Sequence, residues 1–279
     1  MSSAYSSPGI ACSFPAPHVL LIELDRKPVN AFNTQLWLSV QAAFNHASED
    51  PDVRAIVFGS RLDKGFTAGL DLLESNLDAK GSDPARTALV MRPYIKLLQD
   101  SVSSIQNCFK PVIAATHGIC LGAGIDLISA CDVRLCADKT LFSIKEVDIG
   151  LAADVGSLQR LPKVTANASL LYELALTARN FGPDEATKLG LVSTVVQGGR
   201  EQVLQEALRI AKLIASKSPI ATLSTKHLLN YSREHTVQDG LDYTTVWQMS
   251  ALQAEDLPLA FQAFSTKKAP TFPKLAAKL

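Results

Sequence analysis

Carboxylic side chains stand in an unusually apolar stretch of the chain, FSIKEVDIGLAADVGSLQRLPK at residues 142–163. Glu146 follows a short apolar run, and Asp154 lies eight residues later. A further acid, Asp126, lies between two apolar residues in a segment that predicts a helix. A carboxyl group in a low-dielectric pocket has a raised pKa, so it can exchange protons near neutral pH. As a set, these acids predict a site for general acid–base chemistry.

Each acid also has an ordinary structural interpretation. Asp154 is a suitable N-cap for a helix over VGSLQRL. Asp126 can lie on a solvated helix face. Glu146 and Asp148 have two cationic neighbours in the sequence for salt bridges, Lys145 and Arg160. For any one acid alone we favour these interpretations, and only the joint occurrence in apolar surroundings favours catalysis.

Two glycine-punctuated turns lie in separate parts of the chain, FTAGLDL at 66–72 and HGICLGAGID at 117–126. Their spacing is not that of the G-x-G-x-x-G dinucleotide fingerprint. Free backbone N–H groups in such turns can bind an anion or an oxyanion. Two donors from separate loops suit a thioester oxyanion, and each is worth roughly 3 kcal/mol in the transition state. A plain tight turn is the alternative for either segment.

Composition excludes several classes of function. The 279 residues are 47% hydrophobic and 19% charged, and 27 basic residues balance 27 acidic ones. No large basic field is therefore present for nucleic acid or an anionic membrane. No apolar run approaches the roughly 18 residues of a membrane span. The sequence also lacks an H-E-x-x-H metal motif and a G-x-S-x-G nucleophile motif.

Strand-like and helix-like segments alternate first, and helices then follow alone, which predicts an α/β core with a helical C-terminal segment. The predicted strands are 18–26, 53–60, 110–118, 132–137 and 141–144. The predicted helices are 34–50, 87–108, 120–131, 154–160, 167–178, 183–189, 200–217, 219–231 and much of 236–266. We expect residues 63–75 to form a glycine-rich loop that ends in a helical turn.

The chain ends in Ala277-Lys278-Leu279, a close variant of the S-K-L peroxisomal address. A chance ending is the alternative. We expect a peroxisomal location and an import receptor as a partner.

The segments FTAGLDL, HGICLGAGIDLISACDVRLCA and FSIKEVDIGLAADVGSLQRLPK resemble the crotonase (enoyl-CoA hydratase/isomerase) superfamily, and within it the dienoyl-CoA isomerase branch. The resemblance covers roughly residues 15–270. KEVDIGLAADVGSLQRLPK is nearly the signature of that branch, and WQMSALQAEDL at 247–257 is similar to its C-terminal helix.

This resemblance implies a spiral of ββα units with a helical C-terminal trimerisation region, in a homotrimer or a hexamer. It implies a fatty acyl-CoA thioester as substrate and no metal or redox cofactor. We expect four regions: a disordered segment at 1–14, the spiral core at 15–200, the helical region at 201–270 and the targeting tail at 271–279.

The resemblance also assigns roles to residues of this chain. The oxyanion hole falls on the N–H groups of Ala68 and Ala123. Glu146 and Asp154 become a proton-transfer pair between C2 and C6 of the acyl chain, and Asp126 supports the pocket electrostatically. The substrate-binding positions are Phe66, Thr67, Gly69, Leu70 and Lys27, with Arg26 as the alternative to Lys27 for the CoA phosphates.

The implied reaction converts a 3,5-dienoyl-CoA into a 2,4-dienoyl-CoA in fatty-acid β-oxidation. The alternatives are an enoyl-CoA hydratase, a Δ3-Δ2-enoyl-CoA isomerase and a catalytically idle scaffold subunit. Hydratases of this superfamily carry Glu where this chain has Asp126, and usually Gly where it has Asp154, so the acids favour the dienoyl isomerase.

Overall fold

Short apolar runs form the strands because β-branched and aromatic side chains pack well on a buried, pleated surface. The computed structural model describes Tyr5, residues 7–74 and residues 81–275. In this part of the chain the strands are β1 (Ile10–Ala16), β2 (Val19–Leu24), β3 (Ala55–Ser60), β4 (Gly65–Thr67), β5 (Val112–Thr116), β6 (Ile119–Leu121), β7 (Val133–Ala137), β8 (Leu141–Ser143) and β9 (Thr194–Val196).

The helices in the same part are α1 (Thr34–Glu49), α2 (Pro84–Asn107), α3 (Ala123–Ser129), α4 (Ser157–Val164), α5 (Ala168–Thr177), α6 (Pro183–Leu189), α7 (Arg200–Ala215), α8 (Pro219–Ser232), α9 (Val237–Ala251) and α10 (Asp256–Thr266). A 3₁₀ turn covers Glu146–Ile149. No helix among these described residues is both long and apolar enough to cross a membrane.

Two sheets organise the core. The main sheet has the strand order β1-β2-β3-β5-β7-β9, in which only β1 runs antiparallel to its neighbour. β4, β6 and β8 form a small parallel sheet. The pairs β3-β4, β5-β6 and β7-β8 therefore each contribute one strand to each sheet before the chain enters α2, α3 or α4. This confirms the predicted α/β fold of repeated ββα units.

Side chains of the main sheet alternate between two apolar cores, as the period of a strand requires. On one face, Leu20 and Ile22 pack with residues of α1 and α2. On the other face, Val19 and Leu21 pack with one side of α7. The α7 residues in this contact are mostly alanines, which let the helix approach the sheet closely: Val203, Ala207, Ala211 and Ala215.

The contact between α7 and the main sheet moves the expected boundary between the core and the helical region. The core was predicted to end at residue 200 and the helical region to start at 201, but α7 covers the second face of the sheet and belongs to the core. Its first residue, Arg200, donates through Nε to the Ser60 carbonyl oxygen at 2.7 Å and forms an ion pair with Glu23. The helices outside the core therefore begin with α8.

The expectation of disorder at 1–14 is wrong for the described residues that form β1. β1 pairs with β2 in a register that places Cys12 opposite Ile22. Tyr5 is also buried, and its hydroxyl donates to Asp50 Oδ2 at 2.7 Å. The Ser- and Pro-rich composition of this segment hid the fact that a strand beside β2 gains backbone hydrogen bonds along one of its sides.

Three other strands, each of three residues, were missed. β4 lies in the predicted loop 63–75, β6 lies at the start of the predicted helix 120–131, and β9 lies between two helices. The predicted helical tail 236–266 is divided into α9 and α10. Ala277-Lys278-Leu279 lie outside the described residues.

Two glycines allow β4 and the start of β6 to touch. Gly118 has φ +55°, and a Cβ there would lie 2.4 Å from the Lys64 carbonyl oxygen. Gly65 has φ +145°, and a Cβ there would lie 2.2 Å from the Ile119 nitrogen. Only glycine combines these backbone angles with such close backbone approach.

We expect Gly118→Ala to lower the free energy of unfolding by about 2–4 kcal/mol, the sum of backbone strain and overpacking. Urea unfolding followed by circular dichroism measures the change. Gly240→Ala is the control, because Gly240 lies inside α9 and a Cβ there would lie 3.7 Å from the Ser232 hydroxyl, an ordinary van der Waals distance. Alanine there is expected to be neutral or stabilising by up to about 1 kcal/mol. Equal losses in both variants would contradict this account.

Candidate active site

The predicted acids line one cavity of about 320 Å³, here called the apolar cavity. Asp126, Glu146 and Asp154 all contribute to its wall. Most of the remaining wall is apolar and comes from α1, α2 and the loop after β4, including Trp37, Leu70, Leu72, Met91, Ile95 and Leu98. Such a cavity suits a hydrocarbon chain with chemistry at a few polar points.

Asp126 is fully buried in α3, so the solvated-face interpretation is wrong. Its Oδ1 accepts the Ser157 backbone N–H at 2.5 Å and the Ser157 hydroxyl at 2.6 Å. Its Oδ2 is buried without a hydrogen-bond partner among the described residues. Burial, followed by the charge of Glu146, raises the pKa of Asp126 to about 7, although the Ser157 donors and Arg160 oppose the shift. This carboxyl group is therefore poised to change protonation near neutral pH.

Glu146 begins the 3₁₀ turn that follows β8. Its Oε2 is buried with no hydrogen-bond partner in the part of the chain that the structure describes. Burial raises the pKa of Glu146, and the carboxylate of Asp154 raises it further. Asp148, by contrast, forms an exposed salt bridge with Lys145 at 2.7 Å. The salt-bridge interpretation thus holds for Asp148 and fails for Glu146.

Asp154 is not a helix cap, because α4 begins at Ser157 with Gly156 as its N-cap. Its backbone carbonyl accepts a hydrogen bond from Gln99 Nε2 at 2.8 Å. Its side chain is half-buried, and this burial raises its pKa. Asp154 is therefore a second acid of raised pKa beside Glu146, as a proton-transfer pair requires.

Arg160 holds the segment between Asp154 and α4. Its guanidinium donates to Ser103 Oγ at 2.9 Å and to the Val155 carbonyl oxygen at 3.4 Å. Gly156 has φ +143°, and a Cβ there would lie 1.7 Å from Arg160 Nη1. Glycine at this position therefore makes room for the guanidinium that holds the segment.

The two glycine-rich turns meet at the apolar cavity, but one predicted N–H donor is wrong. The Ala68 N–H donates to the Val29 carbonyl oxygen at 3.0 Å, so it is already used. The N–H groups of Leu70 and Ala123 donate to no residue that the structure describes. A Cβ on Gly69 would lie 3.6 Å from the Ala123 nitrogen, which shows how closely the turns approach. The available pair of donors is therefore Leu70 and Ala123.

Two of the predicted substrate-binding residues lie in the core instead. The Phe66 ring packs against Phe58 with a centroid distance of 5.2 Å. Thr67 Oγ1 donates to the Asn30 carbonyl oxygen at 2.6 Å and accepts from the Gly69 N–H at 3.0 Å. Phe66 and Thr67 thus shape the turn, while Gly69 and Leu70 line the cavity.

The cationic candidates for the CoA phosphates differ in availability. Arg26 is paired with Asp71 at 2.8 Å and with Glu74 at 2.9 Å. Lys27 is exposed and forms no ion pair with a described residue. Lys27 does not line the apolar cavity, so any role in binding concerns the part of a ligand outside it.

Comparisons with known proteins assign the family. Residues 16–274 match the enoyl-CoA hydratase/isomerase family model. The chain belongs to the enoyl-CoA hydratase/isomerase family. Its structure is similar to that of enoyl-CoA hydratase from Bacillus anthracis, with a TM-score of 0.85 at 27% identity, over 95% of this chain and 98% of that one.

Relatives within this family carry a more specific description. The mitochondrial Δ3,5-Δ2,4-dienoyl-CoA isomerase of Homo sapiens is 48% identical over 255 residues, 90% of this chain and 77% of that protein. The peroxisomal Δ3,5-Δ2,4-dienoyl-CoA isomerase of Arabidopsis thaliana is 41% identical over 251 residues, 88% of this chain and 89% of that protein.

We expect Asp126→Asn to stabilise the fold at pH 8 but not at pH 4. The folded pKa of about 7 exceeds the ordinary 3.8, so the folded state holds an extra proton between these values. Wild-type stability therefore falls as pH rises from about 4 to about 7 and then stays constant. The neutral amide of Asn does not titrate, so the variant lacks this pH dependence of stability. One pKa unit corresponds to 1.36 kcal/mol, so the gain in the free energy of unfolding at pH 8 is at most about 4 kcal/mol.

Urea unfolding of both proteins at pH 4, 6 and 8 measures this difference. The control is Asp184→Asn, in the exposed first turn of α6. A gain for Asp126→Asn that is the same at all three pH values would contradict the assignment of the raised pKa.

Proposed function

We propose that this protein is a Δ3,5-Δ2,4-dienoyl-CoA isomerase of fatty-acid β-oxidation. One observation carries the proposal: the apolar cavity contains a second acid, Asp154, of raised pKa and near enough to Glu146 to raise its pKa. Moving a proton between distant carbons of one chain needs two such groups. The identities to the human and Arabidopsis isomerases support the same activity.

Substrate binding places the thioester carbonyl at the two turns. The N–H groups of Leu70 and Ala123 donate to its oxygen and stabilise the charge that develops there. The acyl chain then extends along the apolar wall of α2. Lys27 is the candidate contact for the CoA phosphates, since Arg26 is already paired.

The proton steps follow from the positions of the acids. Ionised Glu146 removes a proton from C2, which gives a dienolate whose charge spreads to the thioester oxygen and along the chain. Protonated Asp154 delivers a proton to C6, and the double bonds move to C2 and C4. Asp126, whose pKa is about 7, adjusts the charge of the pocket beside Glu146. The reaction moves protons only, so we propose no metal or redox cofactor.

The alternative activities fit the site less well. A hydratase needs two acids that activate water at C2 and C3, whereas Asp126 is held by Ser157 and the second free acid is Asp154. A Δ3-Δ2-enoyl-CoA isomerase needs no acid beyond the one that serves C2 and C4. An idle scaffold gives no reason for carboxyl groups of raised pKa around a cavity with free N–H donors.

We also propose assembly as a homotrimer or hexamer through the helices outside the core. Support comes from large apolar side chains of α9 and α10 that are exposed in the single chain: Val237, Leu241, Val246, Met249, Phe261 and Phe264. Exposed apolar surface of this extent is typical of a protein interface.

A peroxisomal location is proposed from Ala277-Lys278-Leu279, with the import receptor as partner. The Arabidopsis relative is described as peroxisomal and the human one as mitochondrial, so relatives alone do not decide the compartment.

We expect Asp154→Asn to lower the rate of 2,4-dienoyl-CoA formation by 10²–10⁴-fold, the usual contribution of one general acid. The assay follows the ultraviolet absorbance of the conjugated product from 3,5-octadienoyl-CoA. Asp184→Asn, at an exposed position of α6, is the matched control and should retain wild-type activity. If the wild type instead only hydrates 2-enoyl-CoA, the proposed function is wrong.

Deleting Ala277–Leu279 is expected to leave a fluorescently tagged protein in the cytosol, because the import receptor reads the last residues. Fluorescence microscopy beside a peroxisomal marker measures this in cells that lack the full-length protein, so that no intact subunit carries the truncated one. Peroxisomal import of the truncated protein under these conditions would contradict the targeting proposal.

A further inference from the structure

A second cavity adjoins the apolar cavity at the segment that carries Asp154. Its volume is also about 320 Å³, and we call it the polar cavity. Asp154 and Val155 line both cavities. Asp126 and Glu146, in contrast, line the apolar cavity but not the polar cavity. Of the three acids, only Asp154 therefore lines both cavities.

One face of α2 and one face of α4 form most of the polar cavity, through side chains that can all form hydrogen bonds: Gln99, Ser103, Gln106, Gln159, Arg160 and Lys163. Gln159 and Lys163 are exposed, so the cavity reaches the protein surface. At about 30 Å³ for each water molecule, this volume holds roughly ten. A polar space of this size favours hydrogen-bonded water over an apolar ligand.

The walls of the polar cavity bind the backbone near Asp154 and leave its side chain available. Gln99 donates to the Asp154 carbonyl oxygen, and Arg160 donates to the Val155 carbonyl oxygen. No described side chain forms a hydrogen bond with the Asp154 carboxyl group. The segment is therefore fixed while the carboxyl group stays free to exchange protons.

The proposed reaction leaves two acids in the wrong protonation state after each cycle. Glu146 has gained the C2 proton, and Asp154 has given its proton to C6. The acyl chain occupies the cavity that both acids line, so direct return of the proton is obstructed while the ligand is bound. Solvent on a different side of Asp154 removes this obstacle.

We propose that the polar cavity is a solvent route that exchanges the proton of Asp154 while acyl-CoA occupies the apolar cavity. This inference rests on the proposed isomerase function. A solvent hydronium ion gives its proton to the Asp154 carboxylate and becomes water. Glu146 returns the C2 proton to solvent after product release, so a cycle consumes no net proton.

Hydrogen exchange at C6 of bound 2,4-dienoyl-CoA in heavy water tests the route. Asp154 removes a C6 proton, exchanges it for deuterium through the polar cavity and returns deuterium to C6. The dienolate leaves the enzyme only after it is reprotonated, so this exchange requires solvent access to Asp154 in the occupied site. The Glu146→Gln background blocks protonation at C2, so isomerisation does not contribute to the signal.

Two further substitutions in this background distinguish the effect of filling the polar cavity from the effect of losing a hydrogen bond. Ser103→Leu fills the space, and Ser103→Ala leaves it open. Both remove the hydroxyl that accepts from Arg160 at 2.9 Å. We expect C6 exchange, measured by mass spectrometry and NMR, to be at least tenfold slower with Ser103→Leu than with Ser103→Ala. If Ser103→Leu does not fold, Gln159→Trp and Gln159→Ala on the exposed rim replace the pair.

Equal exchange in the filled and open variants would overturn the proposed route. So would a Glu146→Gln protein that binds 2,4-dienoyl-CoA but exchanges no hydrogen at C6. Failure of the isomerase function is distinguished separately, because the wild type would then form no conjugated product from 3,5-octadienoyl-CoA in ordinary water.

Discussion

The apolar cavity contains three carboxyl groups, and moving their charges out of water costs free energy. The hydrogen bonds and charges around the cavity depend on this cost. Desolvation of one charged group costs several kcal/mol unless hydrogen bonds or opposite charges compensate it. Asp126 receives two donors from Ser157 and the field of Arg160, yet its pKa still rises to about 7. Glu146 has a buried oxygen without a described partner. The site is therefore a place where stability is given up for reactivity, which is the common relation between active sites and folds.

The small sheet of β4, β6 and β8 brings Glu146 close to α3, which carries Asp126. Leu121 in β6 pairs with Ser143 in β8, and the Gly122 N–H donates to the Ser143 carbonyl oxygen at 2.9 Å. This pairing places the start of α3 beside the 3₁₀ turn of Glu146. A Cβ on Gly122 would lie 3.3 Å from Glu146 Oε1, so the absence of a side chain there leaves room for the carboxylate. Strands of three residues thus position Glu146 beside the start of α3, and they also contribute fully buried side chains, Phe66, Cys120 and Phe142, to the core.

The sequence predicts the chemical groups of the site better than it predicts their hydrogen-bond partners. Acids in apolar surroundings and two glycine-rich turns led to Glu146, Asp154 and Asp126, and the alternation of strands and helices led to the α/β fold. Ala68 was chosen as the donor in place of Leu70 because the bond that occupies the Ala68 N–H is formed with Val29, which is distant in sequence. Phe66 and β1 were misjudged for the same physical reason: partners supplied by tertiary structure decide whether a side chain is core or surface, and whether a polar segment pairs as a strand.

The proposal gives three carboxyl groups different roles because their surroundings differ. Asp126 is held at one oxygen by two donors and is fully buried, so it is fixed in place and responds to the charge of its neighbour. Glu146 lines the apolar cavity and has one oxygen without a hydrogen-bond partner among the described residues, which suits the proposed base that takes a proton from carbon. Asp154 lines two cavities, one apolar and one polar, which suits the proposed acid that takes up a proton from solvent in every cycle. The proposed division of roles therefore follows from the surroundings of each carboxyl group, and not from the identity of the side chain.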